Sequence, residues 1–200
     1  MKPKLSTLIG LTFLSALILA PFALSSIYIP VLRANNFDFL QFIQGELYKQ
    51  ITGYISLAFV VLEMFLTARK RSRSWKFKVP IPGSMQLWRS IHIFAGIGLL
   101  AITLIHTFGV NGLNFNAVFL WVFFGVTLSA LIGVVAETGV LESPRKYFGW
   151  GLVKSNSGML ISKGPLIRKM RQFWLLSHIF LVNIFIVMLA IHIFLAYYYQ

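Results

Sequence analysis

The chain carries four histidines, His92, His106, His178 and His192, in two pairs that are each separated by 14 residues. Imidazole is a neutral nitrogen ligand for iron, zinc or copper, a hydrogen-bonding group, and a proton carrier near neutral pH. Each pair sits in an apolar stretch: WRSIHIFAGIGLLAITLIHT, Trp88 to Thr107, and WLLSHIFLVNIFIVMLAIHIF, Trp174 to Phe194. In an α-helix, 14 steps of about 100° fall about 40° short of four turns, so both histidines of a pair share one face. At about 1.5 Å rise per residue they lie roughly 21 Å apart along the axis. Two such helices side by side would offer two facing histidine pairs, one near each surface of a membrane. That is the ligand set of two stacked, bis-histidine haems.

Taken singly, each histidine reads as an interhelical hydrogen-bonding residue or a proton relay. Four histidines in two equal spacings, with none elsewhere, favour haem iron, with axial pairs His92–His178 and His106–His192. Zinc or copper is a weaker rival, because only two histidines share a level and no cysteine or nearby carboxylate completes a shell. The absence of cysteine also excludes disulfides, thiolate-ligated haem, CxxCH haem attachment and cysteine-held iron–sulfur clusters within the chain.

The elements that must position these residues are membrane helices. With 58% hydrophobic and 12% charged residues over 200 positions, the composition predicts an all-α, polytopic membrane bundle. Five spans are expected, at approximately 5–29, 48–68, 89–108, 117–136 and 173–197, within a single membrane domain 1–200. The dihaem core is expected between the third and fifth spans. The first span, broken by Pro21, also has the make-up of a secretory signal, but its length favours a retained span. Residues 31–47 read as an outer connection, with room for a short helix. Glu63, in the second span, is expensive at depth; the nearby basic cluster predicts a lysine or arginine partner for it.

The formal charge of +13 is distributed unevenly, and that sets the topology. Basic residues crowd the 69–88 connection with the adjoining Arg89, and the 137–172 connection; the opposite face has only Arg33 and Lys49. The positive-inside rule then places the N-terminus inside and the C-terminus outside, in a bacterial cytoplasmic membrane. The third and fifth spans run in the same direction, so His92 pairs with His178 near the inner face and His106 with His192 near the outer. The basic residues flank spans instead of forming a basic domain, which argues against nucleic acid and for anionic lipid as a partner. The 137–172 connection, with Tyr147, Phe148 and Trp150, reads as a lipid-held platform on which an acidic redox protein could dock.

Other residues have weaker signals. Gly96, one turn after His92, would let a macrocycle approach the backbone or simply allow close helix packing. Arg89 and Arg171, one and two turns before the inner histidines, would neutralise haem propionates or anchor the helices at the surface. Leu99 and Phe185, seven residues beyond the inner histidines, would form an apolar layer between the haems, as packing alone would also explain.

The basic loop followed by WRSIHIFAGIGLLAITLIH, and the later WLLSHIFLVNIFIVMLAIHIF, resemble the ferric reductase-like transmembrane family. That family includes ferric reductases, the membrane part of NADPH oxidases and the haem subunit of a bacterial methionine sulfoxide reductase system. ITGYISLAF, Ile51 to Phe59, is similar to its second span, and the resemblance covers roughly residues 48–196. It implies haem ligation by His92, His106, His178 and His192, and carries over no substrate site. Many members have six spans where five are expected here, and the flavin and nicotinamide domain of full reductases is expected to lie outside this chain. The equal spacing also resembles the dihaem cytochrome b of respiratory quinol oxidoreductases, although the fifth span lacks the glycines that flank the histidines there. The sequence therefore predicts a cytochrome b-type subunit with two b-type haems, moving electrons across a membrane. It would exchange them with a partner protein or a quinone, and be at most the electron-transfer part of an oxidoreductase. The alternative is a non-redox anchor or small transporter whose histidines relay protons.

Overall fold

A computed structural model describes residues 3–71, 82–110, 112–149 and 160–198. It is an all-α chain with one small β-hairpin. The helices are α1 (Leu5–Ala23), α2 (Ser25–Asn35), α3 (Phe37–Gln44), α4 (Glu46–Arg71), α5 (Met85–Thr107), α6 (Phe115–Glu142) and α7 (Lys163–Tyr198). Strands β1 (Tyr147–Gly149) and β2 (Leu160–Ser162) pair antiparallel between α6 and α7, with Phe148 opposite Ile161. Four of the helices, α1, α5, α6 and α7, are long and apolar enough to cross a membrane, the make-up of a multi-pass membrane protein. Large apolar side chains on them point outward, Phe13 at 73% exposure and Phe173 at 77%, as lipid contact requires.

Helix ends differ from the expected span ends for a physical reason: hydropathy marks where a helix leaves the lipid, not where it stops. α7 begins ten residues before Phe173 and carries Arg168, Lys169 and Arg171 in its first turns. Pro165 is tolerated there because the first turn has no intrahelical partner for its missing N–H. The connection after α6 shrinks accordingly to 143–162. The expected first span divides into α1 and α2 at Leu24, three residues after Pro21. The outer connection 31–47 is occupied by the end of α2 and by α3, which Asn36 caps by accepting from the Phe39 N–H at 3.3 Å.

The chain divides into two compact units, Met1–Pro3 with Phe13–Ala117, and Lys4–Thr12 with Val118–Gln200. In the first unit α4 and α5 pack antiparallel. Phe59 of α4 lies over Gly98, where an added Cβ would stand 2.7 Å from the phenyl ring, and Phe65 meets Trp88 at the other end, their rings 6.3 Å apart. The start of α5 is capped by Ser84, whose hydroxyl accepts from the Leu87 N–H at 3.1 Å. Its end is closed by Phe108 in the left-handed conformation, φ 53°. Two carbonyls left over there are satisfied from α4: the Tyr48 hydroxyl donates to Ile105 at 2.8 Å and Nζ of Lys49 to His106. From α2, the Tyr28 hydroxyl donates to the Phe108 carbonyl at 2.6 Å and Ser25 to that of Val110 at 2.7 Å.

In the second unit α6 and α7 pack antiparallel along a stripe of small residues on α6. Gly125, Ser129 and Gly133 recur every four positions and face Leu181, His178 and Trp174 in turn. This spacing lets helix backbones approach closely. Phe119 and Phe123 continue the contact against Phe185, with ring centroids 5.4 and 5.6 Å away.

A Cβ at Gly133 would stand 2.6 Å from the Trp174 indole, whereas one at Gly139 would meet nothing within 4 Å. Gly133→Ala is therefore expected to lower stability by about 1–3 kcal/mol. Gly139→Ala should be neutral or slightly stabilising. Thermal unfolding in detergent, followed by circular dichroism, measures the difference.

Candidate functional site

His92 and His106 both lie on α5, and each meets a polar side chain from α4. A carboxylate oxygen of Glu63 contacts Nδ1 of His92, with the carboxylate side chain 14% and the imidazole 29% exposed. At the other end, Nδ1 of His106 lies 2.9 Å from the hydroxyl of Thr52, a residue only 7% exposed. Gly53, the next residue, allows this approach: its Cβ would stand 3.4 Å from the His106 ring. Thr52 at the same time donates to the Tyr48 carbonyl at 2.7 Å, which leaves its oxygen to accept from the ring.

In the second unit His178 and His192 lie on α7 and face α6. Nδ1 of His178 is 3.1 Å from the Ser129 hydroxyl. The His192 ring lies 5.3 Å from the Phe119 ring, tilted by 34°. Both contacts belong to the antiparallel packing of α6 on α7, with Ser129 toward one end of it and the long Phe119 side chain toward the other.

Three of the four imidazoles thus have Nδ1 opposite an oxygen on a neighbouring helix. An Nδ1 engaged in this way fixes the ring and makes Nε2 the nitrogen that would meet a metal. Among the described residues no three His, Asp or Glu side chains form a chelating group. A porphyrin iron draws only two ligands from the chain, one on each side.

Most of the basic segment expected to partner Glu63 lies outside the described residues. Among the described residues Glu63 meets His92, because the face of α4 that holds it packs on α5. Its second oxygen, Oε1, is buried and accepts no hydrogen bond among the described residues. Gly96 faces the same carboxylate, at 3.9 Å for an added Cβ. Arg171 pairs with Glu137 of α6, a residue only 3% exposed, so its charge is already shared with a carboxylate. Arg89 is half-buried in the first turns of α5. Leu99 and Phe185 are buried at 7% and 8%, each within its own unit. Trp150 and Lys154, and the 72–81 part of the other basic connection with Arg73, Lys76 and Lys78, lie outside the described residues.

Thr52, Ser129 and Glu137 escaped the sequence reading. For Ser129 the signal was present in the Gly125, Ser129, Gly133 spacing. Thr52 lies just before Gly53 in a stretch already singled out, ITGYISLAF.

The Glu137–Arg171 pair has one buried and one half-exposed end, with side-chain exposures of 5% and 53%. Arg171→Met removes a charged partner from a buried carboxylate and is expected to cost about 1–3 kcal/mol. Glu137→Gln leaves a solvated guanidinium that can still donate to the amide oxygen, and should cost under about 1 kcal/mol. Thermal unfolding of the two variants tests this asymmetry.

Comparison of the chain with protein-family models, with curated proteins and with solved structures finds no match in any of the three.

Proposed function

We propose that this chain carries electrons across a membrane through two b-type haems, each held by two of its four histidines. The observation that supports this most is the treatment of Nδ1. At His92, His106 and His178 a side-chain oxygen on the adjacent helix faces that nitrogen, the arrangement metal-ligating histidines require. The 14-residue spacings and the charge asymmetry of the connections carry the pairing, His92 with His178 and His106 with His192. The topology of five spans, with α4 as the second, belongs to the same proposal.

Bound haem would supply one-electron iron(III)/iron(II) chemistry. The chain's own contribution is positional. Glu63, Thr52 and Ser129 hold the imidazoles in one tautomer and orientation. The apolar side chains of α5 and α7 exclude water, which keeps the surroundings low in dielectric and the reorganisation on electron transfer small. A membrane lipid surface is the first partner. A redox protein or a quinone would load and unload the haems, and the oxidoreductase reaction would belong to the complex they form.

Reduced-minus-oxidised spectra of the purified protein, expressed with ample haem, test the proposal. A b-type signal with two haems per chain is expected. A colourless protein would reject it and favour a proton-relaying anchor or transporter.

The pairing has its own test. His92→Ala and His178→Ala should each remove the same haem and largely spare the other, while His106→Ala and His192→Ala remove the second. Quantitative pyridine haemochrome measurement and resolved α-band spectra follow the loss. If His92→Ala and His192→Ala removed the same haem, the parallel pairing would be wrong.

A further inference from the structure

The two histidine positions of α5 each meet an ionisable residue of α4, one at its ring and one at its backbone carbonyl. Glu63 contacts the ring of His92. Nζ of Lys49 donates to the backbone carbonyl of His106. Lys49 and Glu63 are 14 residues apart, as His92 and His106 are. Because the helices are antiparallel, the period that puts both histidines on one face of α5 also puts the two charges opposite them on α4. Between the charges the contact is apolar, Phe59 over Gly98. The other group at the His106 ring is a neutral hydroxyl, Thr52.

Lys49 also caps the end of α5, where the helix carbonyls carry roughly half a negative charge. A protonated Lys49 there more than offsets that partial charge. Arg89, one turn before His92, opposes Glu63. It sits a helix turn away with its charge partly exposed, whereas Glu63 touches the imidazole itself. The contact therefore dominates at His92.

We propose that α4 sets the reduction potentials of the two iron sites apart. Glu63 lowers the potential of an iron bound by His92, and Lys49 raises that of an iron bound by His106. The proposal rests on the dihaem reading above. Ferric haem carries one more positive charge than ferrous haem. The Glu63 carboxylate, in ion-pair contact with the Nδ1 edge of His92, places negative charge beside the imidazole and so favours the ferric state. An ammonium on the backbone carbonyl of His106 acts through space and favours the ferrous state, and in a low-dielectric interior both effects are larger than in water. With haem bound at both sites, transfer of one electron from the His92 site to the His106 site would then run downhill, with no other species consumed or released. Glu63 and Lys49 touch no iron and are positioning residues.

Spectroelectrochemical titration of the haem-loaded protein in detergent gives the two midpoints. Glu63→Gln should raise the lower midpoint and leave the upper one in place, and Glu63→Asp should restore the lower value. Lys49→Gln should lower the upper midpoint and leave the lower one in place. Each change should move the constant for electron sharing between the sites by about tenfold or more toward unity. Two b-type signals whose midpoints stay put in either variant, or move the opposite way, overturn the proposal and leave the haem reading intact. No b-type signal in the unsubstituted protein overturns the haem reading itself. Where Glu63→Gln sheds its haem, the Lys49→Gln midpoint decides alone.

Discussion

An imidazole inside a membrane has two nitrogens and no water to satisfy them, so a neighbouring helix must provide for at least one. That constraint organises both units of this chain. α5 is placed against α4 so that Glu63 and Thr52 reach His92 and His106. α7 is placed against α6 so that Ser129 reaches His178. The glycines on these helices serve the same end: Gly53 and Gly98 let α4 and α5 close up, and Gly125 and Gly133 do so for α6 and α7. Without those approaches a serine or threonine hydroxyl, only two bonds from its backbone, could not span to the ring.

The Glu63 contact is the costly member of the set. Its buried Oε1 accepts no hydrogen bond among the described residues, an arrangement that costs on the order of 1–3 kcal/mol. It is the kind of expense that a site carries for its chemistry and that packing alone does not require.

Hydropathy and histidine spacing made the apolar helices legible, and the positions of all four histidines on just two of them, α5 and α7. The helix ends were less legible. Arg168, Lys169 and Arg171 are polar but continue α7, because outside the lipid a charged helix costs little. The partners of the histidines were least legible. Whether Glu63 looks toward Arg69 or toward His92 depends on the rotational phase of α4, and a carboxylate in an apolar run gives no sign of that phase by itself. The phase becomes readable only once Gly53 and Gly98 are known to lie at the contact.

A helix in lipid can slide along and spin about its neighbour more easily than one in water, because lipid covers whatever face is uncovered. The indole of Trp174 seated over Gly133 opposes both motions. A slip of one turn, about 5.4 Å, would press the ring onto Ser129 or Glu137, which have side chains where Gly133 has none. The notch acts as a detent. It ties the depth and azimuth of α7 together, and with them the bearing of His178 on Ser129.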